Sequence, residues 1–295
     1  MNPELCNARD DAMTAGVSVM VFTLDEELNL PHCLASLHWC DDVIVVDSFS
    51  TDKTEALCRS AGARFFQHAF EGFGNQRNWA LDHTSPRHPW ILILDADERV
   101  PPALAQELGQ IAQADPVEAG AYRVRRRFHL WGRWLRHSSL YPSWVVRFVR
   151  HDRVRYRNRG HAETQDVQGR IGDLANDLID ENHKSLDEWF ERQNRYSSKD
   201  AEFEAAMDTP LPGWRELTRG DPLARRAALK RLAARIPARG LLYFLYSYLW
   251  RKGFLDGVEG LMFCRMRALY QVQVEVKAFH ARRARQRTQQ SGAPT

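Results

Sequence analysis

Cysteine is scarce in this sequence. Its 295 residues include only five cysteines, at positions 6, 33, 40, 58 and 264, and no two of them form a C-x-x-C pair. An odd and scattered set argues against both a disulfide framework and a zinc site. We therefore expect the chain to work in a reducing cytoplasm.

Long apolar runs are missing as well. The longest apolar segment, 240–250, is much shorter than the ~20 residues that a transmembrane helix needs. The first residues, Met1-Asn2-Pro3-Glu4, lack the basic region and apolar core of a secretory signal. We therefore expect neither a membrane span nor a signal peptide.

A large net charge is also absent, since 41 basic and 38 acidic residues leave +3. The total hides an asymmetry. Residues 219–287 contain 16 Lys/Arg and 4 Asp/Glu, which gives +12, whereas the rest of the chain carries −9. This basic region is suited to anionic surroundings.

What the sequence does contain is a regular series of short apolar strands separated by helical patterns. After a polar stretch at 1–16 that we expect to be flexible, strand patterns recur at 17–23, 43–47, 64–66 and 90–94. Such alternation predicts a doubly wound, mostly parallel α/β sheet. Right-handed crossovers would place the carboxyl ends of all four strands along one edge.

Three carboxylates follow the fourth strand directly, at Asp95, Asp97 and Glu98. In open α/β sheets this edge is where ligands bind, and Asp-x-Asp can hold a divalent cation together with a phosphate. The alternative is a solvated acidic turn. We favour a metal site, because clustered carboxylates repel each other unless a cation or a basic partner is close.

The turns that follow the strands resemble those of family 2 glycosyltransferases, which have a nucleotide-diphospho-sugar-binding (GT-A-like) fold. The matching segments are TLDEE at 23–27, DSFSTDKT at 47–54 and DADE at 95–98. A subgroup, the lipopolysaccharide inner-core β-1,4-glucosyltransferases, is similar in three further segments, namely QRN at 76–78, GHAE at 160–163 and RKGFLDG at 251–257. That subgroup usually has Asn at the position of Asp25, so an amide is exchanged for a carboxylate here.

The resemblance implies roles for the residues at this edge. Asp97 would bind a divalent cation, Mg²⁺ or Mn²⁺, that stabilises the departing diphosphate as a Lewis acid. Asp47 would accept a hydrogen bond from uracil, and Arg77 would make bidentate contacts to the diphosphate. The residues expected to bind the donor are Thr23, Glu26, Asp47, Arg77 and Asp95.

These assignments have structural alternatives. Aspartates at strand ends commonly cap the next helix, and we expect this of Asp52 ahead of 54–61. Arg77 could equally be a solvated helix arginine.

An inverting transfer also needs a base that takes the proton of the acceptor hydroxyl. Glu163, in a segment that resembles the His-x-Glu of the subgroup, is the predicted base, with Asp166 in reserve. His161 is expected to contact the acceptor, with metal binding as a lesser alternative. His183 is expected to contact a phosphate or to be a local structural residue.

Arginines and aromatic residues are interleaved between 121 and 159. We interpret this region as a sheet edge and an acceptor wall, because aromatic rings stack on sugars and arginines pair with phosphates. Nucleic acid is the rival partner, but the acidic strand ends in the same domain make it the weaker one. An aromatic core with snorkelling arginines is the structural alternative.

The predicted organisation is a flexible start at 1–16, a catalytic domain at 17–184, a helical region at 185–280 and a disordered tail at 281–295. The aromatic, apolar run at 241–250 lies between basic residues, which is typical of a helix in a membrane interface. We expect peripheral attachment to an anionic membrane, at the cytoplasmic face of the bacterial inner membrane. Packing on the catalytic domain or on a second copy, in a homo-oligomer, is a compatible alternative.

Together these features predict a metal-dependent inverting glycosyltransferase. It would move glucose from UDP-glucose to a lipid-linked core saccharide such as lipopolysaccharide heptose. One alternative is a phosphatase of the haloacid dehalogenase type, although Arg99 stands where that class has Thr or Val. The other is a noncatalytic basic adaptor for RNA or membrane, which would tolerate the loss of Asp97.

Overall fold

The computed structural model describes residues 16–159, 162–206 and 238–290, together with isolated positions at 213, 216, 225 and 228. The chain forms two compact units. The first comprises Met1–Trp134 and Tyr141–Lys184, and the second comprises Leu135–Leu140 and Ser185–Thr295.

Strands and short helices alternate in the first unit. Its strands are β1 (Val17–Thr23), β2 (Asp42–Asp47), β3 (Arg64–Gln67), β4 (Trp90–Asp95), β5 (Glu98–Arg99), β6 (Ala119–Leu130), β7 (Arg133–Trp134), β8 (Ser143–Arg150), β9 (Val154–Arg159), β10 (Ala162–Val167) and β11 (Arg170–Glu181). Its helices are α1 (Leu30–Ala35), α2 (Thr54–Ser60), α3 (Phe73–His83) and α4 (Pro102–Ala114).

The main sheet has the order β3-β2-β1-β4-β8-β6-β11-β5, and β7 pairs with β6. The first four strands are parallel, which confirms the predicted α/β sheet. The pairs β4–β8 and β6–β8 are antiparallel, so the sheet is mixed beyond β4. In register, Thr23 lies beside Asp47 and Phe22 beside Asp95, which brings the predicted edge residues together.

The central strands are buried on both faces, which explains their continuous apolar sequence. On β4, Leu92 and Leu94 belong to one apolar cluster, and Ile91 and Ile93 belong to the cluster on the opposite face. All four side chains are fully buried. Each such side chain contributes about 1.5–3 kcal/mol of burial free energy, so this strand is a firm base for the acidic turn that follows it.

The interpretation of the arginine-rich region as a sheet edge is wrong, because β8 and β6 lie inside the sheet, between β4 and β11. Their arginines are balanced by acids of the neighbouring strand β11. Arg123 donates to Asp173 at 2.5 Å, and Arg125 and Arg127 each donate to Asp177 at 2.6 Å. These ion pairs occupy the guanidinium groups that we had expected to bind acceptor phosphates.

Aromatic rings also lie against the arginines of these ion pairs. The guanidinium groups of Arg123 and Arg125 lie 4.9 and 5.3 Å from the ring centre of Trp144. Arg127 lies 5.0 Å from the ring centre of Trp134. The contacts match the structural alternative, in which arginines and aromatic residues support each other across the sheet.

The second unit is helical in its described part. It contains α5 (Leu186–Ala206), α6 (Arg239–Leu245), a π-helical turn (Tyr246–Trp250), a 3-10 turn (Gly253–Asp256) and the long helix α7 (Gly257–Gln290). Helices α5 and α7 pack through a small core, and Tyr270 donates to Asp200 at 2.5 Å. No helix within the described ranges combines the length and the hydrophobicity needed to cross a bilayer.

The predicted disordered tail at 281–295 differs from the structure, because α7 continues to Gln290. Residues 261–290 contain neither glycine nor proline, so nothing in the sequence stops the helix before Gly292. Residues 291–295 lie outside the described part of the chain, as do 1–15 at the opposite end.

Candidate active site

The acidic turn after β4 is held by an arginine from β8. Arg147 is buried and donates both to Asp95 and, at 2.7 Å, to Glu98. Glu98 is fully buried and also accepts the backbone N–H of Asp95 at 3.0 Å. The repulsion expected among these carboxylates is therefore relieved by a protein cation, a partner that no sequence motif predicted.

Burial and ion pairing act on these groups in opposite directions. Burial alone would raise the pKa of Asp95, but the charges of Arg147 and Arg77 lower it to about 2. Burial prevails at Glu98 and raises its pKa, although Arg147 opposes the shift. The pKa of Arg147 is raised well above its usual value by the two carboxylates, despite burial. Asp95 is thus an ionised, structurally engaged carboxylate.

Asp97 differs from its neighbours in the turn. One of its carboxylate oxygens accepts the side-chain amide of Asn182 at 3.0 Å, and its carbonyl accepts the N–H of Glu181 at 2.9 Å. Within the described residues no basic side chain pairs with it. Asp97 is therefore the carboxylate of this turn that is free to bind a cation.

The carboxylate oxygens at this edge fit a cation whose remaining coordination positions are filled by the substrate. The described residues contain no cluster of three or more His, Cys, Asp or Glu side chains that could hold a metal by themselves. Mg²⁺ is commonly bound through one or two carboxylates, with substrate phosphates and water filling the other positions. A single carboxylate at Asp97 suits that arrangement.

The three residues Gln76, Arg77 and Asn78 on α3 have separate jobs. Asn78 exchanges two hydrogen bonds with the backbone of Tyr156, at 2.8 and 2.9 Å, and so fixes α3 to β9. Gln76 is buried, lies 2.7 Å from the ring of His68 and donates to Ser48 at 3.2 Å. Both contacts hold the first turns of α3 and thereby position Arg77.

Arg77 is buried, so the interpretation of it as a solvated helix arginine is wrong. It forms ion pairs with Glu163 and, at 3.4 Å, with Asp95. Its guanidinium also lies 5.8 Å from the ring centre of Phe22 and 5.5 Å from that of Tyr156. Burial and the nearby Arg147 lower its pKa below the usual arginine value. A buried cation with two carboxylate partners is a strong candidate for binding an anion.

Glu163 lies on β10, and its pairing with Arg77 brings it to the edge where Asp95 lies. Its second carboxylate oxygen is buried and has no hydrogen-bond partner among the described residues. Asp166, three positions further along the strand, is half exposed and pairs with Arg157 at 2.5 Å. An odd spacing places the two acids on opposite faces of the strand, so the structure separates them. His161 lies outside the described residues.

Sequence reasoning missed Asp180, near the end of β11. This carboxylate is paired with Arg126 at 3.2 Å, and Arg126 also lies 3.8 Å from Glu98. Burial, followed by the charge of Asp97, raises the pKa of Asp180 to about 8. The sequence does carry a signal for it, namely an acid at the carboxyl end of another apolar strand pattern, Leu178-Ile179-Asp180.

Asp47 is fully buried and occupied by the turn that follows its own strand. One oxygen accepts the hydroxyls of Thr23, at 2.8 Å, and of Ser50, and the other accepts the N–H of Ser50 at 2.8 Å. Gln67 donates to the same side chain at 3.4 Å. These contacts join the ends of β1, β2 and β3, so a structural role for Thr23 and Asp47 is directly visible.

The loops after β1 and β2 are tied to each other. Asp25, at a positive φ of 52°, accepts the N–H of Thr51 at 2.7 Å and donates its own N–H to Ser50 at 2.8 Å. Asp52 accepts the N–H of Thr54, the first residue of α2, at 2.9 Å, although Lys53 occupies the N-cap position itself. The two motifs therefore form one connected edge.

Glu26 and His183 lie where the loop after β1 meets the end of β11. Glu26 is paired with Lys184 at 2.8 Å, and burial raises its pKa. The backbone N–H of His183 donates to the side chain of Asn29 at 2.7 Å, and its ring centre is 4.4 Å from that of His32. Burial, and then the charge of His32, lower the pKa of His183. These contacts bring His183 into the same part of the first unit.

Comparisons with known proteins show similarity to glycosyltransferases. A family model described as glycosyl transferase family 2 matches residues 18–175. The lipopolysaccharide core biosynthesis glycosyltransferase LpsC of Rhizobium meliloti is 27% identical over 262 residues, covering 85% of this chain and 90% of LpsC. An uncharacterized glycosyltransferase of Rickettsia bellii is 33% identical over 117 residues, or 39% of each protein. Among solved structures, the mannosyltransferase PcManGT of Pyrobaculum calidifontis has a TM-score of 0.49 and 17% identity, with 91% of this chain and 88% of that chain covered.

Proposed function

Because this chain belongs to glycosyl transferase family 2, we propose that it transfers a hexose, with inversion, from a nucleoside diphosphate sugar to a lipopolysaccharide core saccharide. The observation that carries the proposal is that one edge of the sheet holds both a carboxylate without a basic partner among the described residues, Asp97, and a buried cation, Arg77, which pairs with the nearby Asp95. A diphosphate that carries a divalent cation has the two kinds of charge that this edge complements. The likeness to LpsC supports the acceptor class.

UDP-glucose is the donor that we propose, on the resemblance of the motifs described above. Asp97 would hold the cation, which, when bound, stabilises the negative charge of the departing diphosphate. Arg77 would contact the diphosphate in exchange for its pairing with Glu163. Asp95 is already engaged by two arginines, so we assign it to the donor ribose or to the outer shell of the cation.

The base has two candidates. Glu163 remains the prediction from the motif, but a carboxylate paired with arginine is stabilised in its charged form and is a weaker base. Asp180 is the second candidate, favoured by its position at the same sheet edge; it too is paired with an arginine, Arg126 at 3.2 Å, but burial outweighs that pairing and raises its pKa. A base whose pKa lies near the working pH combines a useful charged fraction with a strong proton affinity.

The acceptor defines where the enzyme would act. A lipid-linked saccharide remains at a bilayer, so we propose peripheral attachment at the cytoplasmic face of the inner membrane. The net charge of +12 over residues 219–287 supports an anionic surface as the partner. The phosphatase alternative lacks a comparable basis, since the family match spans residues 18–175.

A transfer assay with purified protein tests the proposal. UDP-glucose and other UDP-hexoses would be supplied with a heptose-terminated core acceptor and Mg²⁺ or Mn²⁺, and the product linkage would be determined. We expect glucose to be transferred with inversion, and Asp97→Asn to lower the rate by ~10² or more. The matched control is Asp152→Asn, an exposed acid elsewhere in the first unit. Transfer that is insensitive to Asp97→Asn would contradict the assignment of the cation site.

A further inference from the structure

Large apolar side chains are exposed along residues 241–258 of the second unit. Trp250 is 81% exposed, Val258 65% and Leu241 58%, and the other exposed members are Leu242, Leu245, Tyr246, Leu249, Phe254 and Leu255. We call this set the apolar surface 241–258. Single exposed apolar residues are ordinary, but a dense group of this kind marks an interaction surface.

The backbone beneath this surface is closely packed. A Cβ at Gly240 would lie 2.5 Å from Val272 of α7, and one at Gly260 would lie 2.5 Å from the carbonyl of Gly253. Behind the leucines, Phe244 stacks on Tyr248 with ring centres 5.3 Å apart. The segment therefore has an interior of its own, and its exposed leucines are the outer face of an ordered element.

Acidic groups are withdrawn from this surface, whereas one exposed lysine borders it. Between 239 and 274 the acidic residues are Asp256 and Glu259, and neither is exposed. Asp256 is 3% exposed and its carboxylate accepts the N–H groups of His137, at 2.9 Å, and Ser138, at 2.7 Å. Lys252 is exposed next to Trp250. The surface is thus apolar with a positive border.

We propose that the apolar surface 241–258 inserts into the interfacial region of an anionic bilayer. The leucine side chains would reach the acyl boundary, the indole of Trp250 would lie at the headgroups, and Lys252 would contact lipid phosphates. The inference rests on the proposed function, because a lipid-linked acceptor requires the enzyme to work at a bilayer. It assigns attachment to a defined apolar element in addition to the overall positive charge.

Charge favours a lipid surface over a second copy of the chain as the occupant. In a symmetric dimer the same surface would meet itself, and neither copy would offer an exposed acid between 239 and 274 to pair with Lys252 of the other. Anionic phospholipids supply the opposite charge. The aromatic and aliphatic mixture also matches the interfacial composition of membrane-bound helices.

Co-sedimentation with vesicles tests the inference. The full chain would be mixed with phosphatidylcholine vesicles that contain or lack phosphatidylglycerol. We expect binding to the anionic vesicles, and a loss of about tenfold or more in the double variant Leu249→Ser, Trp250→Ser, since two apolar side chains no longer leave water. The control is Val117→Ser, which changes a side chain that is 78% exposed in the first unit. Binding of the double variant at the wild-type level would overturn the inference.

Salt separates insertion from simple charge attraction. Raising the salt from ~0.1 M to ~1 M shortens the screening length from ~10 Å to ~3 Å, which removes most of the attraction between exposed charges. We expect a residual fraction of wild-type protein to stay bound at ~1 M, and none of the double variant. Complete release of the wild-type protein at that salt would mean that the leucines do not insert.

Two further readouts keep this inference separate from the proposed function. Transfer to a delipidated, water-soluble core acceptor should be the same for the wild type and the double variant. If the wild-type protein transfers normally but does not bind vesicles, insertion is rejected and the proposed function stands. No transfer to any acceptor rejects the proposed function.

Sedimentation velocity tests whether a second copy of the chain occupies the apolar surface 241–258 instead. A dimer that the double variant abolishes, in a protein that ignores vesicles, would overturn insertion in favour of self-association.

Discussion

The sheet edge of the first unit and the apolar surface of the second unit depart from ordinary burial in opposite ways. At the edge, charged side chains such as Arg77, Arg147 and Glu98 are buried. On the helical unit, leucines and Trp250 are exposed. Burying charges costs free energy unless they are paired, and exposing large apolar groups forgoes the gain from burial. Departures of both kinds concentrate where ligands bind, and this is why we propose the chemistry at the edge and the attachment at the helices.

The largest effect should come from removing the base at the edge. Glu163→Gln and Asp180→Asn keep side-chain size and remove basicity, and the variant that lacks the base should lose roughly 10²- to 10⁴-fold in transfer. Donor binding provides the second measurement. Glu163→Gln should preserve or tighten it, because Arg77 loses a competing partner. Equal, near-normal turnover in both variants would mean that the proton leaves by another route.

Removing Arg147 tests how much the buried charges at the edge depend on their pairing for stability. Arg147→Met should lower the free energy of unfolding by about 3–5 kcal/mol, because Glu98 would stay fully buried without its cation and the partly exposed Asp95 would lose the same partner. Urea unfolding measures the loss. The control is Arg123→Met, which breaks a solvent-screened surface pair with Asp173 and should lower the free energy of unfolding far less. Similar losses in both variants would contradict the special role of the buried network.

The strands and their order at the carboxyl edge could be predicted from the sequence, because apolar runs and turn motifs are local signals. The partners of the acids could not. Arg147 is 52 positions from Asp95 and reaches it only through the antiparallel pairing of β8 with β4. The register that sets Asp173 and Asp177 beside the arginines of β6 is equally nonlocal. A pattern of interleaved arginines therefore suggested a surface when it belonged to the interior of the sheet.

The helices of the second unit show a second limit of prediction from sequence. The apolar run and the basic charge were visible in the sequence, but the sequence could not say which side chains point outward. Tyr243 and Phe244 are half-buried in the structure, whereas Leu249 and Trp250 are exposed. Packing of α6 against α7 makes that choice, through the close approach at Gly240.

The last effect concerns the dependence of stability on pH. The pKa of Asp180 in the folded protein is about 8, above the ordinary value of ~3.9. Its stabilising contribution is therefore fully present below pH ~4 and is lost as the pH rises through about 8. Asp95, with a pKa of about 2, acts in the opposite sense at lower pH. Unfolding by urea between pH 4 and 8 should show a flatter stability profile for Asp180→Asn, and parallel profiles would argue against the shift.

Donor binding as a function of divalent cation tests the central claim most directly. Calorimetric titration of UDP-glucose into the wild-type protein, with and without Mg²⁺ or Mn²⁺, should give affinity that rises strongly with the cation. In Asp97→Ala that dependence should disappear, while circular dichroism stays unchanged because no core group is deleted. Equal cation dependence in a folded Asp97→Ala protein would contradict the assignment of this sheet edge as the site of the cation and the donor diphosphate.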